Sequence, residues 1–136
     1  MAEITKDIIA QVNKPGRFGT LSTADAQGRP NVAYFGSPHL EQDGTFVVGL
    51  GKNRTLRNLE SNPYAVFFCL EESAPVGFNS KGCRLYLKVR EIQTTGARLE
   101  AIRDAIAKAA GPAAAKMIAA AVVFDITEIR PLVAMG

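Results

Sequence analysis

Apolar residues recur along this chain at two spacings, and the switches between them mark its elements. Ile4, Ile8, Ile9 and Val12 lie on one side of a helical wheel, and Lys6, Asp7 and Gln11 fall away from it. That spacing predicts an amphipathic helix over residues 3–13, ended by Pro15-Gly16. RFGTLSTA (17–24) is short and rich in Thr and aromatics, as a strand is, and DAQGRP (25–30) is a turn. NVAYFGSP (31–38) predicts a second strand and TFVVGL (45–50) a third. The Asp-Gly pair of EQDG (41–44) gives a hairpin signal between them.

YAVFFCL (64–70) is continuously apolar, which predicts a strand buried on both faces. Pro75, Gly77 and Gly82 make 71–82 a loop. In RLYLKVREI (84–92), Leu85, Leu87 and Val89 alternate with Tyr86, Lys88 and Arg90, the pattern of a half-buried strand. Leu99, Ile102 and Ile106 return to helical spacing, Gly111-Pro112 breaks that helix before a second Ala-rich stretch, and AVVFDITEI (121–129) closes as a strand. Strands and helices do not alternate regularly, and hairpin-length links join the early strands. The expected fold is therefore mainly β, a small antiparallel barrel of about six strands. It carries an N-terminal helix and a helix before the last strand.

Composition narrows this only a little. At 136 residues the chain predicts a single domain spanning 1–136, large enough for a core without disulfide or metal staples. No stretch is apolar and long enough to span a bilayer, and the N-terminus lacks a signal-peptide core, so a cytoplasmic protein with no membrane partner is expected. Cys69 and Cys83 lack CxxC spacing and read as two reduced thiols; with His39 the only histidine, no metal site is expected. Cys83, flanked by Lys81 and Arg84, has neighbours that could lower its pKa, but an unremarkable thiol is expected. His39, beside Pro38, is expected in a solvent-facing turn.

The net charge of +3 mildly favours anionic ligands. The candidate chemistry lies in GKNRTLRNLESNP (51–63), which gathers Lys52, Arg54 and Arg57. A phosphomonoester is held by backbone N–H donors, an Arg fork and often a hydroxyl. Gly51, Arg54 and Thr55 supply these at a helix start. The same cations could equally decorate a solvated helix, and neither GxxxxGK[ST] nor GxGxxG is present. The remaining cations are scattered rather than drawn into a basic stripe, so no nucleic-acid partner is expected.

The order of FGTLSTADAQGRPNVAYFGSP, DGTFVVGLGKNRTLRNLESNPYAVFF and GCRLYLKVREI, with AVVFDITEIRPL at the end, resembles the pyridoxamine 5'-phosphate oxidase-like family of FMN-binding split barrels. The resemblance implies an antiparallel Greek-key split β-barrel and FMN as cofactor, held at a homodimer interface. It places the phosphate at Lys52, Asn53, Arg54 and Thr55. The isoalloxazine edge falls on backbone groups of Val48, Gly49 and Leu50, and the ring packs near Tyr34, Phe35, Gly36 and Ser37. Gly82, Cys83 and Arg84 would approach the flavin of the other subunit. The implied function is a flavin-dependent oxidoreductase acting on a small-molecule electron donor or acceptor, or on reduced nicotinamide; the alternative is a non-catalytic FMN-binding electron carrier. The family's oxidase reads its substrate partly through an Arg and a His near the C-terminus. ITEIRPLVAMG has no histidine, so that particular reaction is not expected, and no catalytic residue is assigned.

Overall fold

Thr5 sets where the first helix begins. In the computed structural model, which describes residues 3–71 and 76–134, its hydroxyl accepts a hydrogen bond from the Ile8 amide at 3.2 Å. Helix α1 therefore spans Lys6–Asn13 and starts three residues later than the apolar spacing predicts, because Thr5 takes the cap position. Ile9 and Val12 are its buried face.

Strands β1 (Phe18–Ala24) and β2 (Pro30–Tyr34) form the first antiparallel pair. The Asp25 carboxylate builds the turn between them by accepting from the amides of Gln27 and Arg29, each at 2.9 Å. The segment predicted as one strand over 31–38 divides in two. After the Phe35 amide donates to the Gly19 carbonyl at 3.0 Å, the chain leaves the sheet, and it resumes as β3 (His39–Leu40). Arg17 stabilises that break. Its buried guanidinium donates to the carbonyls of Gly36 at 3.4 Å and Pro38 at 2.6 Å, which the sheet has released, and to that of Val12 at 2.7 Å, at the end of α1. The split raises the strand number from about six to seven and puts His39 in a strand, still exposed, rather than in a turn.

A tight hairpin joins β3 to β4 (Phe46–Leu50), with Gly44 at φ 89° and its amide on the Glu41 carbonyl at 3.0 Å. Helix α2 (Arg54–Ser61) follows, then β5 (Tyr64–Leu70), β6 (Gly82–Gln93), α3 (Ala97–Ala110), α4 (Pro112–Lys116) and β7 (Ala120–Pro131). Pro75, read as part of the 71–82 loop, lies outside the described residues.

All pairings are antiparallel, in the order β2-β1-β5-β6-β7-β4-β3. The sheet is strongly curled. Phe46 on β4 and Phe67 on β5 have two strands between them in that order, yet their rings meet at 5.0 Å. Register shifts between Tyr86 and Leu87 and between Val89 and Glu91 bend the long β6–β7 pair and assist the curl. Leu21, Phe46, Phe67, Leu85, Val122 and Phe124 fill the interior of the resulting half-barrel, with Leu56 and Leu59 of α2 packed into the same core.

Strand β5 is buried on one face only. Ala65, Phe67 and Cys69 point inward, while Val66, Phe68 and Leu70 are half-buried and Tyr64 is 60% exposed. Its outer face continues across the sheet into Ser22 and Val32 on one side and Tyr86 on the other. An apolar run thus marks a strand with two hydrophobic faces, only one of which this chain covers. Helix α3 covers the sheet elsewhere, setting Leu99 and Ile102 against Val47 and Ala121 on the outside of β4 and β7.

Candidate functional site

The candidate site begins where β4 hands the chain to α2. Val48 and Leu50 point into the core and are fully buried. Gly49 faces outward, and a Cβ there would come within 2.5 Å of Ile102 Cγ2 and 3.2 Å of Ile118 Cγ2, so the close neighbour at this glycine is α3. Its backbone is differently placed. The Thr45 carbonyl accepts from the Glu41 amide at 2.8 Å, so alternation turns the N–H and C=O of Val47 and Gly49 to the same edge. Strand β3 begins at His39, opposite Val47, and among the described residues no strand pairs with Gly49 on that edge.

Asn53 caps α2 by accepting from the Leu56 amide at 2.9 Å, which leaves the amides of Arg54 and Thr55 without an acceptor among the described residues. Around this end stand Lys52, Arg54 and Arg57, all exposed. None of the three enters an ion pair among the described residues, and α2 has no acidic residue in its first turn. Cations at the amino end of a helix oppose its dipole and weaken it. The arrangement is unfavourable for folding and suited to an anion. Thr55 is itself buried, with its hydroxyl 3.5 Å from Asn31 Nδ2, under the helix rather than on its surface.

The residues at the end of β2 gather elsewhere. Tyr34 stands 60% exposed, its ring 5.3 Å from that of Phe18, while Phe35 packs against the core. Tyr34, Gly36 and Ser37 line a cavity of about 790 Å³, roofed by the apolar face of α3 at Ile102 and Ile106; Val48–Leu50 and Lys52–Thr55 are not among its lining residues. His39 lines it as well, a role its place beside Pro38 in the sequence does not suggest, because the opposite wall comes from a helix some sixty residues later. At its rim Arg98 holds Glu41 through two bonds, 2.9 and 3.1 Å, and the hydrogen bond raises the Arg98 pKa. Arg17, also in the lining, has its pKa lowered by burial.

Gly82, Cys83 and Arg84 open β6. Arg84 lies beside Phe68 on the outer face, donating to the Pro131 carbonyl at 2.8 Å and the Tyr86 hydroxyl at 3.2 Å. Cys83 points inward, as an unactivated thiol does. The neighbouring Cys69 and burial together push its pKa up, and Lys81 and Arg84 do not reach it. The more acidic thiol is Cys69, which receives a hydrogen bond from Cys83 and lies near the Arg17 guanidinium. Among the described residues no cluster of His, Cys, Asp and Glu is placed to hold a metal ion.

Residues 4–131 match the family model described as pyridoxamine 5'-phosphate oxidase. The chain belongs to that family. Its fold is shared with an FMN-binding protein of Syntrophomonas wolfei subsp. wolfei (TM-score 0.80, 20% identity, covering 95% of this chain and 86% of that one). It is shared too with HupZ of Group A Streptococcus (TM-score 0.74, 24% identity, 96% and 94% covered). At these identities the likeness shows the fold alone. In sequence, 53 residues are 45% identical to heme oxygenase HutZ of Vibrio cholerae serotype O1, a stretch that spans 38% of this chain and 29% of that protein.

Proposed function

We propose that this protein binds FMN and acts as a flavin-dependent oxidoreductase on a small molecule or on reduced nicotinamide. The observation that carries the reading is the uncompensated charge at the amino end of α2. Lys52, Arg54 and the amides of Arg54 and Thr55 would hold the phosphate. The backbone N–H and C=O of Gly49, turned to the sheet edge beyond the start of β3, would meet the ring edge. Bound there, the flavin supplies one- and two-electron transfer, and the protein's part is to anchor, orient and shield it. The site in one chain is an open surface. A second copy docked on the outer sheet face would close it and bring Arg84 toward it, which makes the working form a homodimer.

Titration with FMN tests the anchor: absorbance and fluorescence of the flavin should change as the ring leaves water, and an unchanged spectrum would count against it. Arg54→Ala should weaken binding about tenfold or more, the value of one charged hydrogen bond. Turnover of a reduced nicotinamide in the presence of FMN separates an enzyme from a non-catalytic electron carrier.

A second reading is supported by the stretch similar to HutZ together with the position of His39 on the large cavity. In it the cavity takes heme, with His39 as axial ligand. Titration with hemin in place of FMN decides between them. A Soret shift that disappears in His39→Ala would favour heme.

A further inference from the structure

We propose that Cys69 and Cys83 are a peroxide-sensitive dithiol that closes into a cross-strand disulfide. The two residues are direct partners in the β5–β6 ladder, and both are buried on its inner face. Residues opposed in an antiparallel pair stand about 4.5–5.5 Å apart at Cα. A disulfide requires roughly 4.4–6.8 Å at Cα, which the pair meets, and roughly 3.5–4.5 Å at Cβ, so a hydrogen-bonded pair such as this one closes by about 1 Å on bridging. Their place in the ladder also gives an oxidant a way in. Leu70 and Gly82 form the last rung, one step beyond the cysteines, and the Glu71 amide on the Lys81 carbonyl at 2.8 Å closes the loop that follows. Opening at this end exposes the thiols without unfolding the barrel.

Cys69 is the attacking sulfur, favoured by the hydrogen bond it receives from Cys83 and by the nearby Arg17 guanidinium. Its thiolate attacks one oxygen of hydrogen peroxide, the O–O bond breaks, and the departing hydroxide takes a proton to become water, leaving a sulfenic acid. Cys83 then loses its proton as its sulfur attacks Cys69. The S–O bond breaks, and the second hydroxide leaves as water. Two thiols and one peroxide yield one disulfide and two waters. The bridge also removes the hydrogen that Cys69 donates to the Gln11 carbonyl at 3.8 Å, so oxidation is felt in the last turn of α1.

The test is to expose the folded protein to a small excess of hydrogen peroxide, alkylate in denaturant and measure intact mass. Loss of two hydrogens with neither cysteine alkylated is expected, together with a non-reduced peptide joining the Cys69 and Cys83 segments of a single chain. Dithiothreitol should restore both thiols. Two alkylated cysteines, with oxygen added only at methionine, would overturn the proposal, and so would a bridge joining two chains. In Cys83→Ser the sulfenic acid at Cys69 has no partner and should be trapped by dimedone; no adduct in this variant, if folded, would also overturn it. Should the variant not fold, the peptide map of the unaltered protein decides.

Discussion

A buried amide helps Leu56 and Leu59 seat α2 on the barrel. Asn58 Nδ2 donates to the Thr23 hydroxyl at 3.0 Å, and both residues are buried. Asn58→Ala strands that hydroxyl and should lower unfolding free energy by about 1–3 kcal/mol, measured by urea denaturation. The Asp25 turn gives a pH prediction. The Arg29 amide foremost, then the Arg29 side chain and the Gln27 amide, hold the Asp25 carboxyl below its ordinary value of 3.8. A carboxylate shifted this way adds stability that is complete above the ordinary value and lost as pH falls through the lower folded-state value. Melting temperature should thus fall more steeply below about pH 4 in the unaltered protein than in Asp25→Asn. The turn was legible in the sequence, because Asp and Gly there act on their own neighbours. Asn58 was not, because its partner lies 35 residues away.

Elements were readable where their causes are local and misread where another element intervenes. The Asp-Gly turn works within four residues, and the hairpin and α2 stand where the sequence puts them; Thr5, just as local, still moves the start of α1 from residue 3 to Lys6. The division of 31–38 needed Arg17, and the one-sided burial of β5 needed the curl of the whole sheet. Gly49 is the sharpest case. A glycine within a strand signals a close neighbour, and only the fold identifies it as Ile102. Gly49→Ala should cost about 1–3 kcal/mol through overpacking. Ile102→Ala removes the opposing Cγ2, so in denaturant melts the double variant should lose less than the sum of the single losses. Simple addition would show that the cost of the added methyl does not come from Ile102. Inside the barrel, Phe67→Ala removes a ring that meets both Phe46 and the Arg17 guanidinium, and should destabilise by about 3–5 kcal/mol.

On the scale of the molecule, the outer face of β2-β1-β5-β6 is the surface left to explain. Val32 on β2 is 62% exposed and Tyr64 on β5 60%, with half-buried Val66 and Phe68 further along β5. A contiguous apolar patch of this kind marks an interaction surface. Under the proposed homodimer, Val32→Asp should sediment as a monomer with its melting temperature little changed and its hold on FMN weakened; a dimer unaffected by that charge would move the interface elsewhere. The sequence carried the family and the order of strands, but it could not show that the cations of 52–57 and the cavity beside His39 are separate places, since α3 creates the second. Arg17 has a consequence of its own. It ties three carbonyls from the end of α1 and the β2–β3 link with a group that keeps its proton in any acid, whereas Glu71, which grips Lys14 and Gln11 on the same helix, can be neutralised. Acidification therefore weakens the Glu71 contacts at the end of α1 and leaves those of Arg17 in place, so that end stays tied to the β2–β3 link.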